Sequence, residues 1–438
     1  MTEFSRKDFL GFGGAAALLA AAGCRSAGVT SGRDAKIQGF DEMTAVDDLA
    51  APWVPFSEKK VRVGIAGQGF CWFGGLFNYQ DHPNVEVVAC AELDPKRREN
   101  LQQTVRAPKA YASCEEMIKH AAEDKLEAVY VATDARSHVQ LAIMALEHGL
   151  HVVTSCPVFL GKDQLEYVPK LLDAVKRSGK LYMMNETTAF RPECYAMRKL
   201  YEEGKLGAIT YTEGEYFHPH GNDPDGAKGK PHDHFSYKAW RWGLPPQYYP
   251  THSNGFYTCV THKRFTEVTC SGIPSLVFPY TKAGENEYGN PYGSEYAMFK
   301  CEDGSRARML VSWDVPSFGA EVGRIWGQKG CFVPEKCGRS GKNVVLDGYT
   351  GWFEKEVLAN PGRYLKPHLA PAIEKAGTGG HGGSHAYLTD DFIRGILLKD
   401  HKVCVDVKTA LDTTIAGVYA HMSAMKGGET LKIPEVSL

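Results

Sequence analysis

Two sets of residues in this sequence have the types and the spacing to do chemistry. The first is Gly67-Gln68-Gly69, directly after the apolar run Val61 to Ala66. A glycine turn between a strand and a helix brings backbone N–H groups to a pyrophosphate. The run Val85 to Ala91 then ends in Glu92-Leu93-Asp94. An acid about twenty residues past such a turn accepts hydrogen bonds from an adenosine ribose. Carboxylates there repel a 2′-phosphate, which favours NAD over NADP. Asp94 stands before Pro95 and also reads as a helix N-cap. The second set is Tyr249-Pro250-Thr251-His252. Imidazole moves protons near neutral pH. Tyr249 shares a face with His252 if the segment opens a helix, and Pro250 suits a first turn. His252 also reads as a satisfied core histidine, and Tyr248 competes with Tyr249 for the inward position. Upstream lie His218, His220, His232, His234, Trp240, Arg241 and Trp242. Aromatic faces beside hydrogen-bonding groups suit a sugar, and they equally suit plain packing. His232-x-His234 has no Cys or carboxylate cluster to complete a coordination set, so no metal is expected.

These residues need elements to hold them. Val61–Ala66, Val85–Ala91, Ala128–Ala132 and His151–Thr154 read as buried strands, with helices expected over Phe70 to Gln80 and Ser137 to Gly149. Alternating strands and helices predict a parallel sheet wound on both faces, with ligands beyond the carboxyl ends of the strands. Thr133, Arg136 and His138 sit at one such end, and Ser155 and Pro157 at the next. With Phe70 at the opening of the first helix they complete the candidate cofactor set. Trp72 stands where the third glycine of the fingerprint is usual, so that helix is expected to lie further from its strand. Gly207 to Phe217 reads as a strand whose alternation puts Thr212, Gly214 and Tyr216 on one face and Glu213 and Glu215 on the other. Thr409 to Met425 reads as a last helix stopped by Gly427-Gly428.

Length and composition bound the function. The chain has 438 residues, a prior of two or three domains, with 43% hydrophobic and 23% charged residues. A net charge of −2 provides no basic field for nucleic acid. Residues 1–24 read as an export signal: Ser5-Arg6-Lys7-Asp8-Phe9-Leu10 is twin-arginine-like, with Lys7 for the second arginine, before a short Ala/Gly-rich stretch. Ala21-Ala22-Gly23-Cys24 resembles a lipoprotein box, making Cys24 a candidate lipidation site and membrane anchor. Residues 25–56 read as a linker. An odd number of cysteines remains once Cys24 is set aside, with no disulfide or zinc spacing. The expected location is therefore periplasmic or exported, after folding in a reducing compartment.

Three strings resemble the Gfo/Idh/MocA oxidoreductase family: VRVGIAGQG (61–69), EAVYVATDARSHVQLAIMALEHGLHVV (127–153) and GHGGSHAYLTDDFIRGI (380–396). The resemblance implies an α/β fold. Its parts are a Rossmann parallel sheet over 57–180 and a C-terminal α+β domain over 181–438, with a large, mainly antiparallel open sheet. It further implies a terminal helix returning to the cofactor domain, bound NAD, a small carbohydrate substrate and a homo-oligomer. The family's dehydrogenases carry Glu-Lys-Pro where this chain has Ser155-Cys156-Pro157, so the usual lysine is absent. The Tyr-Pro-Thr-His string resembles the NAD-dependent glycosidases of glycoside hydrolase family 109. That likeness implies catalytic roles for Tyr249, His252 and Tyr216, and places the Gly377–Gly383 loop, with His381, by the active site.

An exported enzyme meets no dependable pool of NAD, so the cofactor is expected to stay bound and to be regenerated within each turnover. The chemistry expected is glycoside cleavage by transient oxidation at carbon 3, elimination, water addition and reduction. The alternatives are an exported sugar dehydrogenase or sugar–sugar oxidoreductase, and a non-catalytic sugar-binding lipoprotein.

Overall fold

The structure, a computed structural model, describes residues 36–42, 52–69, 71–218, 239–275, 283–315, 320–333, 344–346, 368–377 and 379–438. Cys24, Phe70, His220, His232 and His234 lie outside the described residues, as does the export signal.

Six parallel strands form the first sheet: β1 (Val61–Ala66), β2 (Val85–Ala91), β3 (Lys109–Tyr111), β4 (Ala128–Val131), β5 (His151–Ser155) and β6 (Tyr182–Asn185). Their order is β3-β2-β1-β4-β5-β6, the doubly wound arrangement whose crevice opens between β1 and β4. All four residues of β4 and of β6 are buried, as expected for strands covered by helices on both faces. Because β6 pairs with β5 from Val152–Tyr182 to Ser155–Asn185, this sheet runs past the expected boundary at 180.

The second sheet has eight strands: β7 (Ile209–Phe217), β8 (Phe265–Pro274), β9 (Tyr292–Cys301), β10 (Arg306–Ser312), β11 (Ala320–Gly327), β12 (Cys331–Val333), β13 (Val344–Leu346) and β14 (Leu431–Lys432). Their order is β13-β12-β11-β7-β10-β9-β8-β14, antiparallel except for the β7–β10 pair. One face of β7 carries Thr212, Gly214 and Tyr216 against the Thr251–Thr261 helix. A Cβ on Gly214 would stand 2.1 Å from the Ser253 carbonyl oxygen, so glycine lets the helix lie directly on the strand. The other face carries Glu213 and Glu215, paired with Arg308 and Arg324.

Three expectations need correction. The helix foreseen over Phe70 to Gln80 is a single turn, Phe73–Leu76, followed by a 3-10 turn at Tyr79–Asp81. It lies close to its strand despite Trp72, because Gly74 provides the contact: a Cβ there would meet the Gly67 carbonyl oxygen at 2.1 Å. The linker is partly a docked strap. Gln38 donates to the His401 carbonyl and accepts from the Val403 N–H, and the Trp53 indole donates to Asp390. The last helix, Val407–Met425, returns to the first sheet: Thr414 Oγ1 accepts from Val158 N, and Met184 N donates to the Val405 carbonyl. Among the described residues no helix is long and apolar enough to cross a membrane.

Candidate active site

A cleft of about 410 Å³ opens beyond the carboxyl ends of β1, β4 and β5. At one end stand Gly67, Gly69 and Glu92, and at the other Cys156, Trp240, Arg241 and Tyr249. Gly67 has φ +91°, and a Cβ on it would stand 2.4 Å from the Ala132 carbonyl oxygen. Gly69 has φ +56°, with open space where a Cβ would be. The loop thus requires glycine at position 67 and is left uncovered at position 69, and the residues fit a dinucleotide. Glu92 Oε2 accepts from Gln68 N at 2.7 Å and Gly69 N at 3.4 Å, which fixes this carboxylate at the turn. Asp94 does not join it. Its side chain accepts from Arg97 N and caps the Pro95–Val105 helix.

Thr133, His138 and Ser155 line the cleft. The two nitrogens of His138 lie 2.8 Å from the Pro157 carbonyl and 3.2 Å from the Thr133 carbonyl, one of which accepts from the single N–H of the neutral ring. Burial pushes its pKa down, keeping it neutral. Pro157 contributes that carbonyl and is not itself in the lining. Arg136 turns away, pairing with Glu287 and lying over the Tyr288 ring.

His252 sits in the first turn of the Thr251–Thr261 helix, buried behind the cleft wall. Its Nδ1 lies 2.7 Å from Glu186 Oε1 and 3.9 Å from Glu321 Oε1. Burial disfavours the imidazolium, but the two carboxylates and Cys156 outweigh it and hold the His252 pKa well above its ordinary value. Burial likewise pushes Glu186 up, yet His252 beside it brings it down to about 2. His252 is therefore protonated at neutral pH, and begins as an acid. Glu321 in turn pairs with Arg191 and accepts from Thr188 Oγ1 at 2.8 Å.

The Tyr216 ring stands 4.6 Å from the His252 ring and the Tyr249 ring 5.3 Å. Tyr249 is the inward tyrosine; Tyr248 packs edge-on against His421. Burial raises the pKa of both Tyr216 and Tyr249. Arg241 lies over the Trp240 ring at 4.1 Å and over Tyr249 at 5.5 Å. Trp242 does not reach the cleft lining; its indole donates to the Glu285 carbonyl and packs the domain. His381 stacks on His252 at 6.1 Å and hydrogen-bonds His385 at 2.9 Å. Burial, helped by the charge on His252, brings its pKa to about 4 despite Glu321, so it is a neutral neighbour.

Sequence reasoning missed Glu186, Glu321 and Arg191. Glu186 follows β6 directly, and the rule that ligands gather at carboxyl strand ends points to it. Glu321 reaches the site only because β11 pairs with β7 so that Glu321 faces Tyr216. Among the described residues Cys156, Glu186 and His252 bring ligand-type atoms within 4.8 Å of one another. Glu186 Oε1 lies 2.7 Å from Nδ1 of the ring and Cys156 Sγ 4.0 Å from Nε2, so the acid, the imidazole and the thiol form one compact acid–base cluster.

Residues 61–186 match the family model described as an oxidoreductase family with an NAD-binding Rossmann fold. A glycosyl hydrolase family 109 protein of Bacteroides thetaiotaomicron is 30% identical over 166 residues, 36% of this chain and 35% of that protein. An α-N-acetylgalactosaminidase of Bacteroides fragilis is 28% identical over 221 residues, 48% of this chain and 50% of that enzyme. The chain thus spans between a third and a half of the length of these curated relatives. The solved structure of a levoglucosan dehydrogenase complexed with NADH superposes with a TM-score of 0.65 at 18% identity, over 86% of this chain and 100% of that one, a likeness of fold. Residues 61–186 thus match the NAD-binding Rossmann domain of that oxidoreductase family.

Proposed function

We propose that the protein is an NAD-dependent carbohydrate enzyme that cleaves a glycoside without net redox change. The single observation that carries this reading is the cleft. It joins a dinucleotide cradle to Cys156 and Tyr249, with a protonated His252 immediately behind them. Direct hydrolysis would call for two carboxyl groups flanking the scissile bond. Here Glu186 and Glu321 are both buried, engaged with His252 and Arg191, and absent from the cleft lining.

Bound NAD supplies a hydride acceptor and, within the same turnover, a hydride donor. The Gly67–Gly69 turn would hold its pyrophosphate and Glu92 its ribose. Tyr249, kept neutral by burial and placed under the Arg241 guanidinium, offers a hydrogen bond to a sugar oxygen. Trp240 and Arg241 form one wall against which a sugar face packs. Tyr216 and His381 flank the imidazolium and fix its plane. A ketone at carbon 3 acidifies the hydrogen on carbon 2; that proton passes to water in the cleft, the C1–O bond breaks as the C1–C2 double bond forms, and the glycosidic oxygen leaves with a proton drawn from the cleft, while the buried charge of His252 favours the oxyanion that forms. This route depends on no in-line attack at the anomeric carbon, and so tolerates either anomer.

Export through the signal-like segment at residues 1–24 is part of the same proposal, since a resident cofactor removes the need for an outside pool. The test is the nicotinamide content of the desalted protein after denaturation, followed by a panel of aryl glycosides that begins with the α-N-acetylgalactosaminide. Near-stoichiometric NAD, and aglycone release without accumulated NADH, are the expected results. A protein that is empty and binds no added NAD overturns the reading.

A further inference from the structure

We propose that Cys156 is a catalytic residue, its thiol being the group that exchanges the proton of the substrate hydroxyl with the cleft. The inference rests on the function just proposed and deepens its site. Of the acid–base groups gathered around His252, only Cys156 and Tyr249 line the cleft, while His252 and Glu186 stand behind. Among the described residues, a proton passing between His252 and a sugar in the cleft has these two side chains to cross. Cys156 Sγ lies 4.0 Å from His252 Nε2 and donates toward Tyr249 Oη at 3.7 Å. With Glu186 Oε1 on Nδ1 at 2.7 Å, carboxylate, imidazole and thiol form one compact cluster, and the Tyr249 phenol adjoins the thiol. An imidazole fixed by an acid on one nitrogen and facing a thiol on the other is the arrangement that activates cysteine. Buried Cys194 and Cys270 do not line the cleft; Cys114 does, in the first turn of the Cys114–Lys119 helix, where burial pushes its thiol up.

In the active form the thiol–imidazole pair is one proton short, with the remaining proton on the imidazole. The hydroxyl O–H bond breaks and an S–H bond forms on Cys156. The carbon's hydrogen leaves with its electron pair to the nicotinamide-type acceptor named above, and the C–O single bond becomes a carbonyl. When the hydroxyl is restored, the S–H bond breaks and the proton returns to oxygen.

The experiment is alkylation by iodoacetamide, read peptide by peptide by mass spectrometry on the whole chain. Cys156 is expected to label at pH 7, and Glu186→Gln or His252→Asn to slow it about tenfold or more. Added NAD is expected to protect both Cys156 and Cys71, which line the cleft, and to leave half-buried Cys331 unaffected. Labelling of Cys156 at equal rates in wild type and both variants overturns the proposal, and so does a Cys156 that never labels while Cys71 does. Glu186→Gln keeps the side-chain volume, so the test survives a misfolded His252→Asn. For the chemistry itself, Cys156→Ser is expected to lower kcat about 100-fold with little change in KM or in bound NAD. A Cys156→Ser variant that turns over normally overturns the role while leaving the proposed glycoside cleavage standing. Failure of every glycoside with histidine-dependent labelling intact would instead overturn that function and keep the thiol–imidazole pair.

Discussion

Glu186→Gln tests the electrostatics of the site most sharply. Glu186 is fully buried and its Oε1 accepts from His252 Nδ1 at 2.7 Å and from Thr188 N at 2.9 Å. Glutamine keeps the size and an acceptor oxygen but removes the foremost charge that holds His252 protonated, leaving burial opposed only by Glu321 at 3.9 Å and by Cys156. Breaking a buried ion pair from one side costs about 3–5 kcal/mol, counted once because both shifted groups report the same contact. The pH dependence follows from the two directions. Glu186, lowered from its ordinary 4.5 to about 2, contributes stability above its ordinary value that is lost as pH falls through about 2. His252, raised well above its ordinary 6.5, contributes stability in full below that value that is lost as pH climbs through the raised one. The pair is therefore at full strength between about pH 4.5 and 6.5. Urea denaturation of wild type and Glu186→Gln should show the largest gap in that window, narrowing on the acid and alkaline sides. Carbon-13 NMR of the histidine rings should find His252 protonated at pH 7 in the wild type and neutral in the variant. A gap that is constant from pH 3 to 9, or a His252 already neutral at pH 7 in the wild type, would refute the reasoning.

Gly67→Ala puts a Cβ 2.4 Å from the Ala132 carbonyl at φ +91°; it should cost about 1–3 kcal/mol of strain and abolish the thermal stabilisation produced by added NAD, as read by differential scanning fluorimetry. Glu92→Ala should weaken NAD binding about tenfold or more in equilibrium dialysis, while Asp94→Ala, which removes only a helix cap, should leave it unchanged and cost about 1 kcal/mol of stability. Glu321→Gln uncouples Arg191, which is mostly buried; a loss of about 3–5 kcal/mol in chemical denaturation is expected, and a loss below about 1 kcal/mol would show the pair to be dispensable.

The first domain was legible because its signals are local. A strand, a glycine turn and an acid at the next strand end lie within one stretch of chain; four of the six strands were read this way, while β3, of three residues, and β6, beyond the expected boundary, were not. Period-two alternation was enough to put Thr212, Gly214 and Tyr216 on one face of β7. Choosing between Glu92 and Asp94 was harder, since both follow β2 and only the backbone decides that one turns inward and the other caps a helix. The close approach of the first helix escaped for a related reason: Gly74 does the work expected of position 72. The centre of the site was least legible. Glu186 meets His252 across two elements, and Glu321 arrives through the β7–β11 pairing, which no short-range pattern encodes. The fate of Cys156 depended on the same tertiary contacts, because a thiol on a buried strand end is inert unless an imidazole faces it.

The central claim, glycoside cleavage through a transient ketone with a resident cofactor, is tested most directly by turnover of an aryl glycoside in D2O. The account predicts aglycone release with no net NADH and one solvent deuterium on carbon 2 of the sugar product. Aglycone release with no deuterium on carbon 2, or NADH accumulating in step with an oxidised sugar, would contradict it.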